Sequence, residues 1–168
     1  MTTKRLSILI ADDELPARKK LLSFLSQQAE PADIYEAADG LEAYRIIVEL
    51  NPDIVFLDVQ MPGMTGLEVL ENLSVRCYPH IIFVTAYDQY AVKAFEINAV
   101  DYLLKPFDGK RFNIAYKRAV EKFRQKANND DGLTGFLNEI KKDKKYADRL
   151  LVNKNGKYLF VPIDEVIY

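Results

Sequence analysis

The stretch Ile54-Val55-Phe56-Leu57-Asp58 decides the fold, because four consecutive apolar residues end in an acid. Near the start of the chain, Leu6–Ala11 followed by Asp12-Asp13 has the same pattern. Strands that are apolar on both faces are typical of parallel sheets with helices on both sides. Further runs of this kind are Ile81–Val84 and Tyr102–Leu104, with a weaker one around Ile34–Glu36.

Segments with helical spacing lie between these apolar runs, and turn signals such as Asp39-Gly40 and Pro62-Gly63 separate them. Strand and helix alternate five times, which predicts a doubly wound α/β fold with a parallel sheet. The apolar helical faces are Leu21, Leu22 and Leu25; Ala43, Ile46, Ile47 and Leu50; Ala91, Ala94 and Phe95; and Phe112, Ala115, Ala119 and Phe123.

Composition excludes several classes of protein. The 168 residues are 49% hydrophobic and 29% charged with a net charge of -2, which disfavours disorder and a strongly basic nucleic-acid module. Cys77 is the one cysteine and His80 the one histidine, too few for a disulfide framework or a zinc cluster. No apolar run is long enough to span a membrane, and the acids after Ala11 are unlike a signal peptide. We therefore expect a cytoplasmic protein without membrane contact.

The pattern changes after residue 125. Asn128–Gly132 is polar and aperiodic, and Leu133–Asp148 has the spacing of a short helix. Leu150–Val152 and Tyr158–Val161 then flank Asn155-Gly156, a strong hairpin signal. We predict a first domain over residues 1–125, a partly helical linker over 126–148, and the start of a truncated second domain over 149–168. The alternative is a C-terminal appendage that packs on the first domain.

Acids follow two of the predicted strands. Asp12 and Asp13 follow the first strand and Asp58 follows another, so all three should meet at the carboxyl edge of the sheet. Three gathered carboxylates repel one another unless a hard cation such as Mg²⁺ lies between them. Thr85 and Lys105 follow two further strands, and a hydroxyl and an ammonium beside a metal-bound carboxylate suit a phosphoryl group. Taken singly, each of these residues could instead be a helix cap or a solvated charge.

Four motifs occur in the order and spacing of a known family. They resemble the receiver domain of two-component response regulators over about residues 5–125. The resemblance implies a flavodoxin-like, five-stranded parallel sheet of order 2-1-3-4-5. The motifs are Asp12-Asp13, Phe56–Gly66, Val84-Thr85-Ala86 and Tyr102–Phe107.

This resemblance assigns roles residue by residue. It implies a phosphoacceptor signalling domain, not an enzyme, that assists its own phosphorylation and dephosphorylation with Mg²⁺. The phosphoryl donor is a sensor histidine kinase. The implied roles are Asp58 as phosphoacceptor; Asp12, Asp13, Asp58 and the backbone carbonyl of Gln60 as metal ligands; Thr85 as switch hydroxyl; Lys105 as phosphate-pairing lysine; and Tyr102 as switch aromatic.

A second resemblance concerns the output of the signal. Thr85–Glu96 and Arg149–Tyr168 are similar to receivers of the LytTR type and to the first strands of their DNA-binding domain. This implies homodimerisation on phosphorylation and transcription regulation through DNA. Residues 126–168 hold eight basic and seven acidic residues, so we do not expect this fragment to bind DNA tightly. A stand-alone receiver that signals by protein contact is the alternative.

Two other readings fit the residues less well. A phosphatase of the haloacid dehalogenase type needs an acid two residues after its nucleophile, where Gln60 stands. A flavodoxin-like cofactor binder needs a phosphate loop, and Ala11–Glu14 is acidic.

Lys105-Pro106 permits a cis peptide bond. Bulky Tyr87 could obstruct an attacking water, so we also predict slow self-dephosphorylation.

Overall fold

A computed structural model describes residues 4–74, 78–129, 149–154 and 157–162. The chain forms two compact units, Met1–Phe123 and Arg124–Tyr168. Within the described ranges, no helix combines the length and the apolar character needed to cross a bilayer.

The first unit contains a five-stranded, all-parallel sheet of order β2-β1-β3-β4-β5, which confirms the predicted fold class. Each predicted apolar run is a strand, and the weak run around Ile34–Glu36 is the edge strand β2. The strands are β1 (Leu6–Ala11), β2 (Ala32–Ala37), β3 (Ile54–Leu57), β4 (His80–Thr85) and β5 (Asp101–Leu104).

Helices connect the strands on both faces of this sheet. One of them, α3, is absent from the predicted apolar faces, because its six residues are too few to show a helical period. Its first turn is held instead by a capping box between Thr65 and Glu68. The helices are α1 (Leu15–Ser26), α2 (Gly40–Leu50), α3 (Gly66–Glu71), α4 (Ala91–Glu96) and α5 (Gly109–Asn129).

Successive residues along each strand point to opposite faces of the sheet and build two separate cores. Ile8, Ile54 and Phe56 face α1 and α5, while Leu9 and Val55 face α2, α3 and α4. Each of these five side chains is 0% exposed. The sheet is therefore covered on both faces, as its doubly apolar strands predict.

Three residues of the predicted apolar helical faces do not lie in the core. Phe95 is 74% exposed, Leu50 is 48% exposed, and Ala91 is exposed as well. Leu50 is the last residue of α2, and α4 is only six residues long. A 3₁₀ turn at Asp88–Tyr90 precedes α4 and leads directly into it.

The second unit contains a hairpin of β6 (Arg149–Lys154) and β7 (Lys157–Pro162), paired antiparallel. These strands confirm the predicted hairpin arms. The Asn155-Gly156 turn lies outside the described residues, as does the helix expected within Leu133–Asp148. Helix α5 extends through Asn129, into the segment expected to be a linker.

Candidate functional site

Backbone ladders place the acids at the carboxyl edge of the sheet. Ala11 in β1 pairs with Leu57 in β3, so the next residues, Asp12 and Asp58, lie side by side. The ladder continues past both strands, because Asp58 N donates to Ala11 O at 2.9 Å and Asp12 N to Ala37 O at 3.1 Å. The position of both carboxylates is therefore set by buried, hydrogen-bonded strands.

Asp12, Asp13 and Asp58 form the acidic cluster. One carboxylate oxygen from each lies within 4.8 Å of the other two. Asp12 is 1% exposed and Asp58 5% exposed, while Asp13 is exposed. Oxygen ligands on a partly open rim suit Mg²⁺, which prefers hard oxygen donors and keeps several waters. The residues present therefore fit this cation.

Lys105 supplies the cation that the structure shows in this cluster. Its Nζ lies 2.7 Å from Asp12 Oδ2, 3.4 Å from Asp58 Oδ2 and 3.6 Å from Glu14 Oε2. Burial acts to lower the pKa of Lys105. The hydrogen bond to Asp12 and the charges of Asp58, Asp12 and Glu14 outweigh this effect, so the pKa is raised overall. The ammonium is thus held charged. The peptide bond between Lys105 and Pro106 is cis.

The Asp58 carboxylate is electrostatically disfavoured. The pKa of Asp58 is raised to about 6, mainly by burial and also by the charge of Asp12, although the charge of Lys105 acts to lower it. The backbone N–H of Gln60 donates to Asp58 Oδ1 at 3.1 Å and stabilises the ionised form. A further positive charge at the rim would therefore favour ionised Asp58.

Thr85 and Tyr102 lie next to the acidic cluster and are not bonded to it. Thr85 is fully buried, and its hydroxyl accepts a hydrogen bond from Tyr87 N at 3.4 Å. Lys105 N donates to Thr85 O at 2.8 Å, which joins the ends of β4 and β5. Tyr102 is half-buried, and its hydroxyl donates to the Tyr87 carbonyl. Both side chains therefore meet at the backbone of Tyr87.

The Gln60 side chain makes a hydrogen bond across the site that the sequence did not reveal. Its Nε2 donates to the Tyr90 hydroxyl at 2.7 Å. Gln60 was expected to act through its backbone carbonyl, and Tyr90 was not a candidate. No pattern in the sequence pairs a loop glutamine with a tyrosine thirty residues later. Glu14 was not a candidate either, although it directly follows Asp12-Asp13 and lies 3.6 Å from Lys105 Nζ.

Gly66 lets the loop after β3 approach the cluster closely. A Cβ at this position would overlap the backbone carbonyl oxygen of Asp58. Gly66 N also donates to Val59 O at 2.9 Å, which folds the start of α3 back onto the end of β3. Glycine is therefore required here by space, not by an unusual backbone angle.

Comparisons with known proteins agree with this geometry. A family model described as response regulator receiver domain matches residues 8–117. An uncharacterized response regulatory protein of Vibrio parahaemolyticus is 45% identical over 122 residues, which are 73% of this chain and 50% of that protein. The transcriptional regulatory protein BtsR of Escherichia coli is 40% identical over 126 residues, 75% of this chain and 51% of BtsR. The chain thus spans about half the length of these relatives.

The fold is also similar to solved structures. The response regulatory domain of protein mrkE from Klebsiella pneumoniae superposes with a TM-score of 0.66 at 27% identity. The match covers 71% of this chain and 99% of the mrkE domain.

Proposed function

Because the chain belongs to the response regulator receiver domain family, we propose that Asp58 accepts a phosphoryl group from a sensor histidine kinase. The observation that carries this proposal is the geometry around Asp58. Its buried carboxylate lies within 4.8 Å of two other carboxylates and 3.4 Å from the Lys105 ammonium. This arrangement surrounds one nucleophilic oxygen with groups that bind a cation and a phosphoryl anion.

The residues that would hold Mg²⁺ are Asp12, Asp13, Asp58 and the backbone carbonyl of Gln60. When bound, the ion neutralises negative charge on the carboxylates and on the transferred phosphoryl group.

The chain's own residues carry out the transfer. An Asp58 oxygen attacks phosphorus in line, the phosphorus–nitrogen bond of phosphohistidine breaks, and the histidine nitrogen leaves with the bonding pair. Lys105 exchanges part of its contact with Asp12 for the phosphoryl oxygens, and the Thr85 hydroxyl donates to them. Hydrolysis of the acyl phosphate later restores the carboxylate, so the domain is a phosphoacceptor, not a classical enzyme.

Phosphorylation then changes the face formed by α4 and β5. When Thr85 turns toward the phosphoryl group, it leaves its bond with Tyr87 N. Tyr102, whose hydroxyl donates to the Tyr87 carbonyl in the unphosphorylated structure, then moves into the vacated space. The face carries exposed apolar residues, Val92 (69% exposed), Phe95 (74%) and Leu104 (44%). We assign this apolar patch to a phosphorylation-dependent homodimer.

The output is transcription regulation through a LytTR-type DNA-binding domain that residues 149–168 begin, after a receiver over 1–125 and a linker over 126–148. Three observations support this. The chain spans about half of its curated relatives, one of them is a transcriptional regulatory protein, and a hairpin follows the receiver unit. DNA contact is then expected of a complete LytTR-type domain and not of this hairpin alone.

Exposure to acetyl phosphate and Mg²⁺, with and without EDTA, tests the phosphoacceptor role by intact mass. We expect one metal-dependent phosphoryl adduct on the native protein and on Asp33→Asn, an exposed control acid, and none on Asp58→Asn. An adduct of equal yield on Asp58→Asn would contradict the proposal, as would no adduct on folded native protein.

A further inference from the structure

Gln60 joins the phosphorylation site to the segment before α4. Its backbone N–H donates to Asp58 Oδ1 at 3.1 Å, so the residue lies directly beside the carboxylate. Its side-chain Nε2 donates to the Tyr90 hydroxyl at 2.7 Å. Tyr90 is the last residue of the 3₁₀ turn Asp88–Tyr90. The exposed Gln60 carboxamide is therefore tied to the α4 side of the site.

The Tyr90 hydroxyl is a fixed partner for this carboxamide. The Tyr90 ring is half-buried and packs against the core under α2, α3 and α4. Its ring also meets the Tyr87 ring edge-on, at 6.3 Å between centroids. The Tyr87 carbonyl in turn accepts the bond from Tyr102. Packing and hydrogen bonds thus hold the Tyr90 ring and limit where Gln60 can reach.

We propose that Tyr90 is a positioning residue that lengthens the lifetime of phosphorylated Asp58 by restraining the Gln60 side chain; this rests on the phosphoacceptor function proposed above. In hydrolysis, a water oxygen attacks phosphorus and the bond from phosphorus to the Asp58 oxygen breaks. The products are inorganic phosphate, the Asp58 carboxylate and a proton. A free carboxamide moves so that its Oε1 accepts from the water and aims it, whereas the bond from Gln60 Nε2 to the Tyr90 hydroxyl restrains that movement.

Removal of the Tyr90 hydroxyl alone should release Gln60. Protein phosphorylated with acetyl phosphate and Mg²⁺ is separated from the donor, and loss of the adduct is followed by intact mass. Tyr90→Phe should lose the adduct about fivefold faster than the native protein, which corresponds to about 1 kcal/mol. Tyr44→Phe on α2 is the matched control, with a native rate.

A double-mutant cycle decides whether Tyr90 acts through Gln60. Gln60→Met removes the carboxamide, so Tyr90→Phe should no longer accelerate hydrolysis in the Gln60→Met background. An unchanged rate in Tyr90→Phe would overturn the inference, and so would the same acceleration in both backgrounds. Failure of the native protein to form any adduct would instead overturn the phosphoacceptor function on which the inference rests.

A second measurement needs neither metal nor phosphate. Nuclear magnetic resonance on metal-free protein follows solvent exchange of the Gln60 side-chain amide protons. We expect slower exchange in the native protein than in Tyr90→Phe, with similar melting temperatures for both. Equal exchange in the two proteins would mean that the Tyr90 hydroxyl does not restrain Gln60, and the inference would be wrong.

Discussion

At the scale of single residues, Asp58 combines low solvent exposure with a nearby acid. The carboxylate is 5% exposed, and burial raises its pKa to about 6, with Asp12 adding to the rise. A carboxyl group can have a higher pKa in the folded protein than in the unfolded chain, where the pKa of Asp is near 3.9. Its contribution to stability is then fully present below the unfolded pKa and is lost as the pH rises through the folded pKa. In metal-free protein, ionised Asp58 therefore opposes folding above about pH 6.

Asp58→Asn should consequently stabilise the metal-free protein at pH 7.5. We expect the free energy of unfolding to rise by about 1–3 kcal/mol and the gain to shrink toward zero near pH 4, where native Asp58 is protonated. Urea denaturation in EDTA at both pH values measures this difference. Lower stability of Asp58→Asn at pH 7.5 would show that its bond to Lys105 outweighs its desolvation.

At the scale of secondary-structure elements, Asp101 ties β5 to α5. Arg111 contacts both oxygens of its carboxylate, at 3.0 and 2.5 Å, and Arg118 adds a bond at 2.9 Å. The N–H of Tyr102 donates to Asp101 Oδ1 at 2.8 Å. The Asp101 side chain is 7% exposed. This network fixes the start of the strand that carries Tyr102.

Asp101→Asn should destabilise the protein by about 1–3 kcal/mol at pH 7, because it leaves two guanidinium groups without their carboxylate. Burial acts to raise the pKa of Asp101, but hydrogen bonds and charge from Arg111 lower it overall. The stabilisation is therefore present above about pH 4 and is lost below it. Denaturation of both proteins at pH values above and below 4 tests this pH dependence. The control is Asp33→Asn, which removes a half-exposed ion pair and should change the free energy of unfolding very little.

The loop between β3 and α3 is a second connection at this scale. Gly66→Ala places a methyl group against the Asp58 carbonyl and forces the loop away from the acidic cluster. We expect a loss of about 1–3 kcal/mol and a weaker stabilisation by added Mg²⁺, measured by thermal unfolding with and without the ion. Unchanged stability and Mg²⁺ response would contradict the close packing at Gly66.

At the scale of the whole molecule, the sequence predicted the sheet and the gathering of Asp12, Asp58 and Lys105. It succeeded because buried strands leave a short apolar signature, and parallel strands all end at one edge. It did not predict the exposure of Phe95, since three apolar positions on a short helix do not define which way it faces. It also missed the Gln60–Tyr90 bond, a long-range contact between loops that no periodic pattern records.

The exposed apolar patch of Val92, Phe95 and Leu104 leads to a prediction about assembly. Phe95→Glu should abolish dimerisation of the phosphorylated protein, because it places a charge in the centre of an apolar contact. Light scattering after acetyl phosphate treatment measures the mass, and intact mass spectrometry verifies that phosphorylation is unchanged. A dimer of native strength in phosphorylated Phe95→Glu would exclude this patch.

Among the three clustered carboxylates, Asp58 alone should take the phosphoryl group. Treatment of the native protein with acetyl phosphate and Mg²⁺, followed by borohydride, reduces an acyl phosphate to an alcohol and marks its position permanently. Peptide mapping should find homoserine at position 58, with Asp12 and Asp13 unmodified. Homoserine at position 12 or 13, or a phosphoryl adduct that resists borohydride, would contradict phosphorylation of Asp58.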